Sequence, residues 1–319
     1  MIPEIVAGLV QVLTVLALSP LMVGILKKWE AKFESRKGIS IFQPYYDLAK
    51  SFKKEIVVPE DAGSLFILAP MLSFTAYLIL PWVVPIVFGS PSWFAPLVDF
   101  LGGAFLFGFA SFFSVIGTEK TGSYYTGIGA TRGVTFGAFA EPVLITVFFG
   151  VALITGTNNP FLTNETLRNN LSWMLSPTHI LLITAFFLLL LFDTGKLPIE
   201  SHGMGELGMI GQGMGLEYSG PLYALKSWGS YMKQFILFSV FINVFAMPWF
   251  IPLQVNALTI LYGIALLFVK MLVVIFAIVL VEISVAKIRL FKIIDYLTFS
   301  YLTALLAVIS FFLVGGVPQ

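Results

Sequence analysis

Apolar residues run almost unbroken over lengths near twenty along most of the chain, separated by short polar interruptions. When helical, an apolar run of about 18 or more residues matches the thickness of a bilayer's hydrocarbon core. The pattern predicts eight spanning helices, near residues 4–26, 64–88, 96–117, 131–155, 178–194, 228–251, 257–285 and 294–314. A membrane barrel would alternate polar and apolar positions over stretches of about ten residues. Residues 260–281 are instead apolar on every face apart from Lys270, so helices fit and strands do not. Punctuation agrees with these limits: Pro59, Glu60 and Asp61 precede the second span, and Gly89-Ser90-Pro91-Ser92 separates it from the third. Residues 5–26 follow no basic segment or small-residue cleavage site and read as a retained first span. No internal repeat pairs interrupted helices in two halves, as an inverted-repeat transporter would. The expected fold class is all-α, a polytopic membrane protein with a single transmembrane domain over residues 1–319.

Composition strengthens this picture. Of 319 residues 58% are hydrophobic and 11% charged, against roughly a quarter charged in soluble domains. With a mean hydropathy of +0.94, a soluble fold is excluded. The absence of cysteine rules out disulfides, thiolate catalysis and cysteine-ligated iron–sulfur clusters within this chain. The histidines, His179 and His202, are too few for a haem pair or a histidine zinc site of the usual kind. No cofactor is expected in this chain.

The net charge of +1 is uninformative, but its distribution is not. If the spans alternate, fifteen of the eighteen Lys and Arg residues fall on one side, Arg168 falls on the other, and Arg132 and Lys270 lie within helices. The positive-inside rule then puts both termini outside and the loops 27–61 and 196–226 in the cytoplasm, which implies a multipass protein of the cell membrane. The first of these loops is amphipathic, with Lys28, Trp29 and Phe33 suited to the headgroup region. The second carries Glu200, Glu206 and Glu217 among seven glycines and too few charges for a solvated loop, so it is expected to pack against something. The outer loop between the fourth and fifth spans contains two glycosylation-type triplets, at Asn164 and Asn170.

Glu141, Asp193, Glu282 and Lys270 lie in or at the edge of apolar helices, where each would cost at least about 2.5 kcal/mol facing lipid. Structural explanations exist, namely buried ion pairs or side chains snorkelling to the surface. Burial also makes both protonation states of a carboxyl accessible near neutral pH, which is what a proton relay requires. Four such groups beside a glutamate-bearing loop favour the relay. Gly129, Gly133 and Gly137 recur every four residues with Glu141 at the next step, so close helix approach is expected to turn Glu141 into the bundle. Arg132 lies nine residues earlier, on a different face, and Asp193 is its first candidate partner. Lys270 is either neutral through burial or paired with an acid of this chain or a neighbouring subunit. Gly203, Gly205 and Gly208 match a dinucleotide fingerprint, but no strand precedes them and the match is rejected. His202 with Glu200 and Glu206 fits a hydrogen-bonded cluster better than a metal site.

The run Trp29-Glu30-Ala31-Lys32-Phe33-Glu34-Ser35-Arg36-Lys37-Gly38, followed by Ile41-Phe42-Gln43-Pro44-Tyr45-Tyr46-Asp47-Leu48-Ala49-Lys50 and Leu68-Ala69-Pro70, resembles the first cytoplasmic loop and second helix of the complex I subunit 1 family. Gly129-Ala130-Thr131-Arg132 with Glu141, and Phe192-Asp193 followed by Leu197-Pro198, Glu200, Glu206 and Glu217-Tyr218-Ser219-Gly220, extend the resemblance over nearly the whole chain. The eleven-residue interval from Glu206 to Glu217 is closer to subunits of membrane-bound [NiFe] hydrogenases and sulfane sulfur reductases than to quinone-reducing complexes. Gly211-Gln212-Gly213-Met214-Gly215 departs from many of those relatives in carrying neither acid nor histidine.

The resemblance implies a cytoplasmic arm of hydrogenase-like and iron–sulfur subunits, holding iron–sulfur clusters and, if the complex is a hydrogenase rather than a sulfane sulfur reductase or quinone-reducing complex, a nickel–iron centre. That arm would dock on both loops, at Glu30, Glu34, Arg36, Lys37, Gln43 and Asp47 among others, with antiporter-like subunits alongside in the bilayer. It further implies that Glu141, Asp193, Glu200, Glu206, Glu217, Arg132, Lys270 and Glu282 couple electron transfer in the arm to H+ or Na+ movement, without catalysis in this chain. No nucleic-acid partner is expected. The rival from another class is a stand-alone secondary transporter in which Lys270, Glu141 and Glu282 bind substrate or protons.

Overall fold

The computed structural model describes residues 2–89, 99–199 and 208–313. Seven described helices are long and apolar enough to cross a membrane: α1 (Ile2–Phe33), α3 (Ser64–Val83), α4 (Phe100–Glu119), α5 (Tyr124–Thr155), α10 (Gly220–Val240, continued by a π-helical segment Phe241–Ala246), α11 (Ala257–Ser284) and α12 (Lys292–Leu313). An eighth apolar helix, α8 (Pro177–Asp193), has 17 residues, or about 25 Å. The chain is an all-α multipass membrane protein. Successive spans run antiparallel, so one end collects the lysine-rich loops after α1, α4, α8 and α11; this is called the basic end below. Short helices complete the chain: α2 (Gln43–Phe52) and α9 (Gly208–Gly211) at the basic end, α6 (Pro160–Asn169) and α7 (Leu171–Met174) at the opposite end.

The bundle is built around α10, which packs against α3 and α1, while α4 lies on α3 and α5 lies on α4 and α8. α11 is held mainly by α1, and α12 by α8 and α5. Phe148, Phe186, Phe235, Phe238 and Phe245 are fully buried in the core. Both peripheral helices leave large apolar side chains uncovered, such as Leu258, Leu261, Phe299 and Phe312, as expected of surfaces that meet lipid or another membrane chain.

Helix limits differ from the hydropathy pattern where helices continue beyond the hydrocarbon region. α1 runs on to Phe33, seven residues past its apolar stretch, because Trp29 meets Phe276 of α11 edge to face at 6.4 Å. α10 begins at Gly220 rather than 228, with Pro221 in its first turn, where the missing amide proton costs nothing. Lys226 therefore sits in a helix and not in a solvated loop, two turns before Lys233. Within the first basic-end loop, α2 buries Pro44 and Leu48 against the bundle and leaves Tyr46 exposed.

The two large basic-end loops are joined to each other. The Val57 amide donates to Ser219 Oγ at 2.7 Å, and Ser219 Oγ–H donates to the Val57 carbonyl at 3.1 Å. Gly220 follows with φ of +55°, and a side-chain carbon there would strike the Glu55 carbonyl. Gly220→Ala should therefore cost about 1–2 kcal/mol for the left-handed backbone and a further 1–3 kcal/mol for the collision. A fall in the thermal midpoint of the detergent-solubilised protein would report it.

Candidate functional site

Between α3, α4, α5, α8 and α10, a cavity of about 380 Å3 opens toward the basic end. Its wall mixes apolar side chains such as Phe74, Phe192 and Ile210 with polar ones: Ser73 and Tyr77 come from α3, Ser111 and Ser114 from α4, and Asp193 from the last turn of α8, while Gly133 and Gly137 come from α5. α10 contributes Lys226, Ser230, Tyr231 and Lys233. Lys233 and Lys226 are seven residues apart, two helical turns, and so share the face turned to the cavity. Lys233 Nζ donates to Asp193 Oδ1 at 2.6 Å, and both side chains are more than four-fifths buried. In a low-dielectric interior, such a pair persists only when each charge satisfies the other. Glu141 is the next carboxylate close enough to act on the Lys233 charge.

Lys226 holds the mouth of the cavity. Its ammonium donates to Thr118 Oγ1 at 3.0 Å and to the Met214 carbonyl at 2.5 Å, and lies 4.6 Å from the Tyr218 ring centroid. A cation over an aromatic face contributes about 2 kcal/mol once desolvated. Tyr218 is itself stacked on Phe66 at 4.4 Å with the rings nearly parallel. Burial pushes its phenol above the ordinary range, so the hydroxyl keeps its proton. Lys226 thus ties α4, the 213–218 segment and α10 into one rim.

The remaining sequence-predicted residues fall in several places. The expected partnership of Arg132 with Asp193 is corrected: among the described residues, the ion pair made by Asp193 is with Lys233. Arg132 is half-buried on α5 and makes an interaction of its own. Glu141 does not turn into the bundle either; it is exposed in this chain, on the flank where α4 and α5 meet. Its Oε1 lies 3.4 Å from where a side-chain carbon on Gly108 would sit. The reason is drift. Steps of four residues advance about 40° each, so Glu141 is about 120° around the helix from Gly129. Gly129 is buried, Gly133 meets Met214 and Val115, and nothing would contact a side chain at Gly137. Glu217 is half-buried in the segment before α10, and Glu200 and Glu206 lie outside the described residues, as does His202.

Glu282 and Glu30 come together around a residue that sequence reasoning passed over. Lys196 Nζ lies 2.5 Å from Glu30 Oε1 and 3.5 Å from Glu282 Oε1. Of the docking candidates, Glu34 is paired with Arg36 at the surface, Lys37 is exposed with its carbonyl accepting from Lys28 Nζ at 2.9 Å, and Gln43 donates to Asp47 on exposed α2 at 2.8 Å.

Lys270 is far from these acids. It is 3% exposed, and its ammonium donates to Asn243 Oδ1 at 3.1 Å and to the Met247 and Trp249 carbonyls at 2.7 and 2.8 Å. Those acceptors sit where the π segment of α10 unwinds, so the lysine caps a broken helix. Asn164 Nδ2 donates to the Asn243 carbonyl at 2.5 Å, and Asn243 Nδ2 donates to Ile86 O at 2.8 Å. His179 Nε2 reaches the Phe245 carbonyl at 2.9 Å. Gln11 Oε1 accepts from the Ile86 and Val87 amides at the end of α3. Asn164 is 1% exposed in this network, which removes it as a glycan acceptor in the folded protein.

Sequence reasoning missed Lys226 and Lys233 because both were counted among loop charges. Their seven-residue spacing was the available signal. Tyr77 gave none, since a tyrosine in an apolar helix reads as core. Among the described residues, no group of three or more His, Cys, Asp or Glu is placed to hold a metal ion.

These features define a polytopic α-helical membrane subunit with a charged cavity at its basic end. The chain matches the family model described as NADH dehydrogenase over residues 5–314, and it belongs to that family, which contains complex I subunit 1. It is 30% identical to hydrogenase-4 component C of Escherichia coli (strain K12), over 92% of this chain and 91% of that one. It is 31% identical to formate hydrogenlyase subunit 4 of the same organism, over 88% and 90% respectively. The fold is shared with a chain from the structure of an archaeal membrane-bound sulfane sulfur reductase, with a TM-score of 0.80, 20% identity, and 96% and 99% of the two chains covered.

Proposed function

We propose that this chain is the membrane anchor and coupling subunit of a hydrogenase-type redox complex. In this reading, a peripheral arm of hydrogenase-like and iron–sulfur subunits docks on the joined loops at the basic end, which faces the cytoplasm. Antiporter-like subunits cover the membrane flank carrying Glu141. The observation that carries it is the similarity to hydrogenase-4 component C and formate hydrogenlyase subunit 4 along about nine-tenths of each chain. Both names denote parts of larger assemblies. The redox centres reside in the partner chains, since this one offers no thiolate to ligate them.

The cavity gives the coupling a physical form. A change of charge or shape in the docked arm acts on the 213–218 rim and on Lys226, and through the shared face of α10 on Lys233 and Asp193. A buried ion pair responds to a nearby charge over several ångströms because little water screens it. Glu141, within reach of the Lys233 charge, then exchanges a proton or cation with the neighbouring membrane subunit.

Purification of the tagged subunit in mild detergent tests the assembly. Co-purifying chains with nickel, iron and hydrogen evolution are the expected result. Iron without nickel would move the assignment to a sulfur- or quinone-reducing complex, and a lone chain active in liposomes would replace it with a secondary transporter. For coupling, Glu141→Gln should assemble yet lose ion pumping in proteoliposomes; unchanged pumping would remove Glu141 from the path.

A further inference from the structure

Three helices end together at the basic end, away from the flank that carries Glu141. Glu30 is in the last turn of α1, Glu282 in the last turn of α11, and Lys196 just beyond α8. The segment after α8 is fixed to the segment after α11, where the Ile288 amide donates to the Pro198 carbonyl at 2.9 Å. Lys196 Nζ bridges the two carboxyls, at 2.5 Å from Glu30 and 3.5 Å from Glu282, and only 13%, 24% and 14% of the three side chains remain exposed. The Glu30 and Glu282 carboxyls thus flank one ammonium, close enough for each to act on the other. Two carboxyls sharing one site resist ionising together, which favours a proton on one of them.

Charge counting gives the same result. Two carboxylates and one ammonium leave a net charge of −1 in a mostly buried site. Lys27 of α1 acts on Glu30, which Lys196 already approaches at 2.5 Å, so Glu282, 3.5 Å from Lys196, is the carboxyl left short of countercharge. One bound proton makes the site neutral. Glu282 Oε2 is buried with no hydrogen-bond partner among the described residues, which leaves an oxygen to carry it. The site is also reachable: Glu30 and Lys27 line an open groove of about 390 Å3 at the end of α1, together with Glu34 and Arg36. Lys27 lines the large cavity as well, and so does Ile199, three residues after Lys196.

We propose that Glu30, Lys196 and Glu282 form a proton-loading site that takes protons from the groove at the basic end and passes them to the cavity of Asp193 and Lys233. Loading adds one proton from bulk water to the carboxyl pair, leaving Lys196 as the resident countercharge. Unloading returns the pair to two carboxylates and delivers that proton to the cavity beside Lys27. Nothing is oxidised or reduced. The proposal rests on the coupling function above and adds to it the face through which protons arrive.

The test uses the intact complex in proteoliposomes, with ions moved per electron transferred as the readout. Glu282→Gln should assemble and lose most of this ratio, and Lys196→Met should shift its pH dependence. An unchanged ratio in Glu282→Gln overturns the loading site. Wild type and Glu141→Gln are run in parallel: if the wild-type complex moves no ions per electron, the coupling reading itself fails, whereas loss in Glu141→Gln with no loss in Glu282→Gln rejects the loading site alone. If Glu282→Gln does not assemble, the wild-type complex decides, through carbodiimide labelling mapped by mass spectrometry. Labelling of Glu30 or Glu282 that slows as pH rises supports a protonated pair; no labelling of either at any pH overturns it.

Discussion

Asp193→Asn should destabilise the subunit by about 3–5 kcal/mol, the usual consequence of leaving one charge of a buried pair without its partner. Lys233 would then face Tyr77, serines and glycines, with the exposed Glu141 as the remaining carboxylate acting on it from a distance. Lys233→Met should cost a similar amount by stranding Asp193. The double variant, with both charges gone, should recover much of the loss, because an apolar replacement of a buried pair is often neutral or better. Thermal midpoints of the four proteins in one detergent give the coupling energy directly. Additive losses, within about 0.5 kcal/mol, would mean that the pair contributes no mutual stabilisation. Recovery of stability in the double variant without recovery of pumping would separate the pair's role in coupling from its role in folding.

Lys270→Met should be at least as damaging, for a different reason. Its ammonium serves three buried acceptors, and each acceptor left unpaired costs about 1–3 kcal/mol. The sum approaches the whole stability of an ordinary domain, about 5–15 kcal/mol. The expected outcome is a subunit that fails to accumulate in membranes, detected by immunoblotting. Asn243→Ala should show a milder form of the same defect, since it removes one of those acceptors along with the bonds to Pro85 and Ile86. If Lys270 were instead a relay residue, Lys270→Met would accumulate normally and only pumping would fall.

The architecture was largely legible in the chain, because twenty-residue apolar runs leave little choice in a bilayer. α5, α8 and α12 appear close to where hydropathy puts their apolar portions. The ends of α1 and α10 were not legible, since their polar final and initial turns read as loop. The same error hid Lys226, while Lys233, inside the expected span, was counted with the loop charges; the role of both depends on facing inward from a helix. Asp193 could be recognised as an unusual charge, but its partner lay forty residues away on α10. Arg132 was a reasonable guess from charge alone. Glu141 was misplaced for a geometric reason: a four-residue repeat feels straight along a sequence and winds around a helix. The grouping of Glu30, Lys196 and Glu282 had no local signal, as it joins three separated chain segments.

The bond between Val57 and Ser219 spans 162 residues of sequence. During synthesis the first basic-end loop therefore leaves the ribosome long before the residue that fastens it. Until Gly220 and the start of α10 have emerged, Glu55 and Val57 have nothing to close against, and the platform they form with the 213–219 segment does not exist. Maturation of the surface is thus timed by translation: a soluble partner that needs both loops cannot attach to a nascent chain holding only the first spans. A product truncated before Ser219 lacks the contact that closes the two loops on each other.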